Sequence, residues 1–276
     1  MTICIAANCA DGQAVVVASD RMLSAPFLTL EFDHPDAKID VVSNTCVALT
    51  AGNALMAHDV MAAGPGFAAQ LSNPLVSHFA THIRDNFVQA RRRLANEQIL
   101  EPRGFSFQDF YQGGGITRLP PDLALLIDNH IQQLELGVSI LLAGLDQSGA
   151  HIYNIEDPGT SYCYDRVSYH AIGSGHRHAL LTLVSQNQHS TTGINQTVFN
   201  VYCAKREAES APGVGTATEM RVITRTGIKS LLNTELDVLA PLYDSRMRPK
   251  LDDVDRAIGG LPYEKGQTDG KNSPTG

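Results

Sequence analysis

The sequence predicts an α+β protein: antiparallel sheets with helices outside them, in a layered sandwich. Strand-like runs come as neighbouring pairs joined by short turns, the pattern of hairpins and not of βαβ units. Helical runs also come in pairs, separated by strands. With 276 residues, 43% of them hydrophobic and 18% charged, the chain has a globular composition and the length to bury a sizeable core.

Residues 2–7 are an apolar run that reads as a strand, Asp11-Gly12 is a tight-turn signal, and 14–19 (AVVVAS) is the returning strand. Residues 38–42 and 45–50 read as a second pair, joined at Ser43-Asn44. After Gly52, residues 54–69 have helical character. Asn73-Pro74 opens a longer helix to about residue 95, with apolar positions at Val76, Phe79, Ile83, Phe87 and Leu94. Residues 96–136 are less regular, with Gly113-Gly114-Gly115 and a helix start at Pro120-Pro121-Asp122, and read as an insertion or helical extension. Strands resume at 138–145, 151–155 and 167–171. Helices follow at about 176–187 and 194–209, then a strand at 220–224. No repeat or linker divides the chain, so a single domain over 1–260 is expected, with a polar, Gly- and Pro-containing tail at 261–276 that reads as disordered.

The formal net charge of −8 argues against a nucleic-acid partner. Arg91-Arg92-Arg93 falls in the long helical pattern and reads as a solvated face. The cysteines, Cys4, Cys9, Cys46, Cys163 and Cys203, are odd in number and widely spaced, as for reduced thiols of a cytoplasmic protein. The first residues lack the basic and long apolar regions of a secretory leader, and no apolar run reaches the roughly 18 residues of a membrane span, so no membrane association is expected. The histidines show no HExxH spacing, His176-Arg177-His178 reads as structural, and no metal or cofactor is expected. Gly213-Val214-Gly215 lacks the third glycine and the preceding strand of a nucleotide loop.

Thr2 carries the chemistry. Removal of Met1, favoured before a small residue, leaves Thr2 with a free α-amine beside its own hydroxyl. A hydroxyl needs a base to act as a nucleophile, and an N-terminal amine, with a reference pKa of about 7.7–8.0, supplies one near neutral pH. Cys4 and Cys9 lack that position. Met-Thr alone is a common beginning, so the weight of this reading depends on the rest of the chain.

The strings MTICIAANCADG, VVVASDR, AKIDVVSNTCVALTAG, SILLAGLDQSGAHIYNIEDPG, YHAIGSGHRHALLTL and AKREAESAPGVGTATEMRVIT, together with the order of elements, resemble the β-subunits of the proteasome family, N-terminal-nucleophile hydrolases. The resemblance runs from Thr2 to about Gly227 and leaves out 96–136. It implies a four-layer αββα sandwich and a threonine peptidase. Thr2 falls on the nucleophile, Asp20 and Lys38 on the conserved acid and lysine, and Gly52 on the glycine whose amide serves the oxyanion hole. Ser174 falls on the supporting serine, and Glu207 and Ser210 on a further acid and serine that orient the amine. Glu207 stands where the family has Asp, and Ala211 where glycine is common. The first specificity pocket falls on Asp36, Asp40, Thr50, Ala54 and His58. Asp36, Lys38 and Asp40 alternate and would share a strand face, giving an acidic pocket that favours a basic side chain. The resemblance further implies a peptide or unfolded-protein substrate and a homo-oligomeric ring enclosing a chamber, with room for an ATPase unfoldase as partner. The alternatives are an amidohydrolase for a small or specialised amide, and a non-catalytic ring subunit, which the set Thr2, Asp20 and Lys38 disfavours.

Overall fold

The computed structural model describes residues 2–25, 30–33, 38–62, 67 and 74–247. The strands are β1 (Cys4–Cys9), β2 (Ala14–Asp20), β3 (Met22–Ala25), β4 (Leu30–Asp33), β5 (Ile39–Ser43), β6 (Cys46–Gly52), β7 (Val138–Asp146), β8 (Gly149–Glu156), β9 (Thr160–Cys163), β10 (Tyr169–Ile172), β11 (Thr218–Thr224) and β12 (Gly227–Ser230). The helices are α1 (Ala54–Met61), α2 (Val76–Ala95), α3 (Phe107–Tyr111), α4 (Gly115–Arg118), α5 (Pro121–Gln132), α6 (His176–Ser185), α7 (Ile194–Ala208), α8 (Asn233–Asp237) and α9 (Ala240–Met247).

The protein is α+β, as the sequence predicts. One five-stranded sheet has the order β10-β1-β2-β11-β12 and a second has the order β5-β6-β7-β8-β9. Every pairing in them is antiparallel, and β3 with β4 forms a separate hairpin. The β1–β2 hairpin turns where Asp11-Gly12 marks it, with Ala10, Asp11 and Gly12 at φ of 51°, 55° and 74°. β1 and β2 have no exposed face: each of their residues is buried. One face of the first sheet meets the second in a shared core that includes Cys4, Ala6, Val15, Val17, Val47, Leu49, Leu141 and Ile152. The other face of the second sheet packs through Ala48, Ile140 and Leu142 against Val60 of α1 and Phe79, Ile83 and Phe87 of α2. The periodic positions read from the sequence of α2 are therefore its core face. Asn53 caps α1, accepting from the amides of Leu55 (3.1 Å) and Met56 (3.4 Å).

Residues 96–136 are more regular than the sequence suggests. A π-helical turn and a 3₁₀ turn continue α2 over Asn96–Arg103, and α3, α4 and α5 follow. α3 and α4, of five and four residues, are too short to show a period; with α5, whose start the sequence marks at Pro120-Pro121-Asp122, they close on a small core built from Leu100, Phe110, Ile127 and Ile131. The triple-arginine run is committed to this arrangement. Arg91 donates to the carbonyls of Ile131 (2.8 Å), Gln132 (2.9 Å) and Leu134 (2.8 Å), capping the C-terminus of α5. Arg92 lies over the Phe107 ring, and Arg93 pairs with Asp59.

The sequence is read as one domain to about residue 260, but the contacts divide the chain at residue 231: the first compact unit spans Met1–Leu231 and the second begins at Leu232. The second unit contains α8 and α9, and the 261–276 segment lies outside the described residues. Among the described residues no helix is long and apolar enough to cross a membrane. The five cysteines are free, four buried and Cys163 exposed.

Candidate active site

Asp20 is the last residue of β2, which lies between β1 and β11. Strand pairing places Ser19 opposite Cys4 and Asp20 opposite Thr218, so the Asp20 carboxylate meets the start of β1 and the chain leading into β11. It is fully buried, and backbone amides surround it. Oδ1 accepts from the Ile3 N–H at 3.0 Å, and Oδ2 from the amides of Gly215 at 3.0 Å and Met22 at 3.3 Å. Charge-assisted bonds of this kind fix a carboxylate in one orientation.

Lys38 comes from the other sheet. It immediately precedes β5, and its carbonyl accepts from the Thr50 amide of β6 at 3.2 Å. Its side chain is buried and reaches Asp20, with Nζ 2.7 Å from Oδ1. Thr2, only 3% exposed, completes the cluster: Oγ1 donates to Asp20 Oδ1 and accepts from Lys38 Nζ. Three polar side chains from distant parts of the chain thus satisfy one another in a space from which water is largely excluded.

The loop after β10 holds the main chain of Thr2. Its N–H donates to Ser174 Oγ at 3.3 Å, and its carbonyl accepts from the Gly175 N–H at 3.3 Å. The Ser174 hydroxyl has the Thr2 carbonyl at 3.3 Å and the Pro212 carbonyl at 3.2 Å as acceptors. Gly173 is required here. Its φ is +95°, and a Cβ would sit 2.3 Å from the Thr2 carbonyl oxygen.

Ser210 does not follow the sequence expectation. It lies just past the end of α7, where helix carbonyls lack intrahelical partners. Its hydroxyl donates to the Glu207 carbonyl at 2.6 Å and meets His178 Nδ1 at 3.4 Å. Glu207 is half-buried in the last turn of α7. The Thr2 N–H meets the Ser174 hydroxyl.

Gly52 ends β6, with φ of +99°, and a Cβ there would lie 2.0 Å from the Gly137 carbonyl oxygen. That carbonyl accepts from the Asn53 N–H at 2.8 Å. Asp157 holds the residues leading into β7, accepting from the Leu136 and Gly137 amides at 2.9 Å each. Of the pocket positions, Thr50 on β6 is half-buried, while Asp40 on β5 and Ala54 and His58 on α1 are exposed. Asp36 lies outside the described residues. Desolvation of the Asp40 carboxyl raises it above the ordinary value, with the charges of Arg221 and then His58 opposing and that of Glu219 adding to the rise. Arg221 also pairs with Glu219 at 2.7 Å, so charge at this end of the sheets is mixed and not purely acidic.

Sequence reasoning missed Gly215, Met22, Asp157, Arg221 and Lys205. Backbone donors carry no side-chain signature, and a charged residue within a helix or strand pattern reads as solvated. Cys4, two residues from Thr2, is the competing nucleophile. Burial pushes its thiol up to about 12, against the lowering effect of Lys38, so it stays protonated at neutral pH. Among the described residues no group of three or more His, Cys, Asp or Glu could hold a metal ion. The chain matches no family model and no curated protein.

Proposed function

We propose that the chain is an N-terminal-threonine hydrolase that cleaves amide bonds after Met1 is removed. The observation that carries this reading is the Thr2 hydroxyl bonded at once to Lys38 Nζ and Asp20 Oδ1 in a buried cluster. A hydroxyl serving only the fold has no need of both an ammonium and a carboxylate removed from water at considerable desolvation cost.

In this mechanism Thr2 Oγ1 adds to the substrate carbonyl. The C=O π electrons move onto oxygen, and the Gly52 N–H meets that oxyanion. The α-amine of Thr2 takes the hydroxyl proton and delivers it to the leaving nitrogen as the C–N bond breaks. Lys38, which donates to Oγ1, offsets the negative charge that develops there, and Asp20 holds Lys38 in place. Water then adds to the ester carbonyl, the C–Oγ1 bond breaks, and Oγ1 recovers its proton. Ser174 orients the Thr2 nitrogen.

The resemblance to proteasome β-subunits extends the proposal. The sheets with α1 and α2 on one side and α6 and α7 on the other are read as a four-layer αββα sandwich. The substrate is read as a peptide or unfolded protein, and the working assembly as a homo-oligomeric ring. Hydrolysis of a fluorogenic peptide amide tests the reading. Wild type should turn over and Thr2→Ala should not, with both folded by circular dichroism. Equal rates would remove Thr2 from the chemistry.

A further inference from the structure

Lys205 lies in the last turn of α7, and its side chain is 0% exposed. A lysine ammonium is rarely buried without partners, because removing it from water is expensive. Lys205 has two: Nζ lies 2.7 Å from Glu209 Oε1 and 2.7 Å from the Thr216 carbonyl oxygen. The first is a helix-end ion pair to a residue one turn on. The second reaches forward across the irregular segment after α7 and ties that segment back to the helix.

Thr216 follows Gly215, whose N–H donates to Asp20 Oδ2 at 3.0 Å. The other oxygen of Asp20 bonds Thr2 Oγ1 and Lys38 Nζ. A continuous line of contacts therefore runs from Lys205 through the Thr216 carbonyl, the Gly215 amide and Asp20 to Thr2. The Thr216 carbonyl also accepts from the Thr218 hydroxyl, at 3.4 Å, so the 2.7 Å contact from Lys205 is the shorter of the two and the one that ties it to α7. Burial pushes the Lys205 ammonium below its usual value, while Glu209 and the Asp20 charge favour it.

We propose that Lys205 is a positioning residue of the Thr2 site: by gripping the Thr216 carbonyl it sets the Gly215 amide against Asp20 and so fixes the carboxylate that bonds Thr2 and Lys38. This rests on the reading of Thr2 as the nucleophile. The competing role is purely structural, an ion pair with Glu209 that supports the end of α7.

The test uses the full chain in two arms. In crystal structures, Lys205→Met should open the Asp20 Oδ2 to Gly215 N separation beyond hydrogen-bond range, and an unchanged 3.0 Å contact overturns the proposal. In kinetics with a β-lactone that acylates Thr2, Lys205→Met should lower kinact by about tenfold or more while KI stays within about twofold of wild type. An unchanged kinact, or equal changes in both constants, overturns it. Should Lys205→Met not fold, Lys205→Met combined with Glu209→Met removes the buried pair without stranding a charge. The same two readouts apply to it. If wild type itself is not acylated, the nucleophile reading fails, and the crystallographic arm still decides the role of Lys205.

Discussion

Lys38 Nζ lies 2.7 Å from Asp20 Oδ1, joining a residue that precedes the edge strand of one sheet to the last residue of a central strand of the other. Both side chains are buried, so neither charge has a cheap alternative partner. Lys38→Ala would leave Asp20 buried without its cation. The expected cost is roughly 3–5 kcal/mol of stability. Peptide hydrolysis should fall by roughly 10²–10⁴-fold. Urea midpoints and turnover measured on the same preparation check both. A loss of turnover below about tenfold in folded protein places Lys38 outside the chemistry.

Thiol chemistry should leave the activity alone. Cys4 is buried and its thiol is pushed up to about 12, whereas Cys163 is exposed. Burial also raises the Cys163 thiol, so the reagent is used at mildly alkaline pH: iodoacetamide should then modify Cys163 faster than Cys4 and leave peptide hydrolysis unchanged, as read by peptide mapping and rate. Inactivation that tracks alkylation of Cys4 would point to a cysteine nucleophile.

Gly173→Ala should displace Thr2. The position has φ of +95°, and the added methyl would overlap the Thr2 carbonyl. A lower melting temperature together with a lower rate is expected. Unchanged activity would mean that the 173–175 loop does not hold the nucleophile.

His151 makes stability depend on pH. Its Nδ1 lies 2.7 Å from Asp165, and its Nε2 lies 2.8 Å from the Ser148 hydroxyl and 3.2 Å from Asp146. The Asp165 hydrogen bond raises the imidazole pKa, against burial and with further help from the charges of Asp165 and Asp146. A raised folded-state pKa contributes stability that is complete below the unfolded value, about 6.5, and is lost as pH rises through the folded value. The urea midpoint of wild type relative to His151→Gln should therefore be larger at pH 6 than at pH 8. A difference that does not change with pH contradicts the ion-paired imidazolium.

The ring reading predicts a large particle. On α6, Leu181 and Val184 are 70% and 60% exposed, an apolar surface that contact with another copy would cover. Mass photometry should find a closed assembly of about twelve or fourteen copies. A monomer near 29.8 kDa at micromolar concentration would favour an amidohydrolase for small amides.

The framework strands were legible because their apolar runs are long: CIAANC, AVVVASD and VSILLAGLD sit inside the protein. Strands β9 (TSYC) and β12 (GIKS) were missed, being four residues each and partly exposed, with little pattern to read. Helices α3 and α4, of five and four residues, are obscured for the same reason, since tertiary packing and not periodicity defines them. At the site, Thr2, Asp20 and Lys38 are far apart in sequence and were assembled on resemblance; spacing alone would not have joined them. The residues that hold them, through the Gly215 amide and the buried ammonium of Lys205, became visible only with the backbone in place.

The central claim is that Thr2, freed of Met1, is the nucleophile. Intact-mass analysis before and after treatment with an epoxyketone or β-lactone tests it most directly. The account predicts a starting mass lacking Met1 and a single adduct that maps to Thr2 and is absent from Thr2→Ala. A retained Met1 with no adduct, or an adduct of the same size on Thr2→Ala, would contradict it.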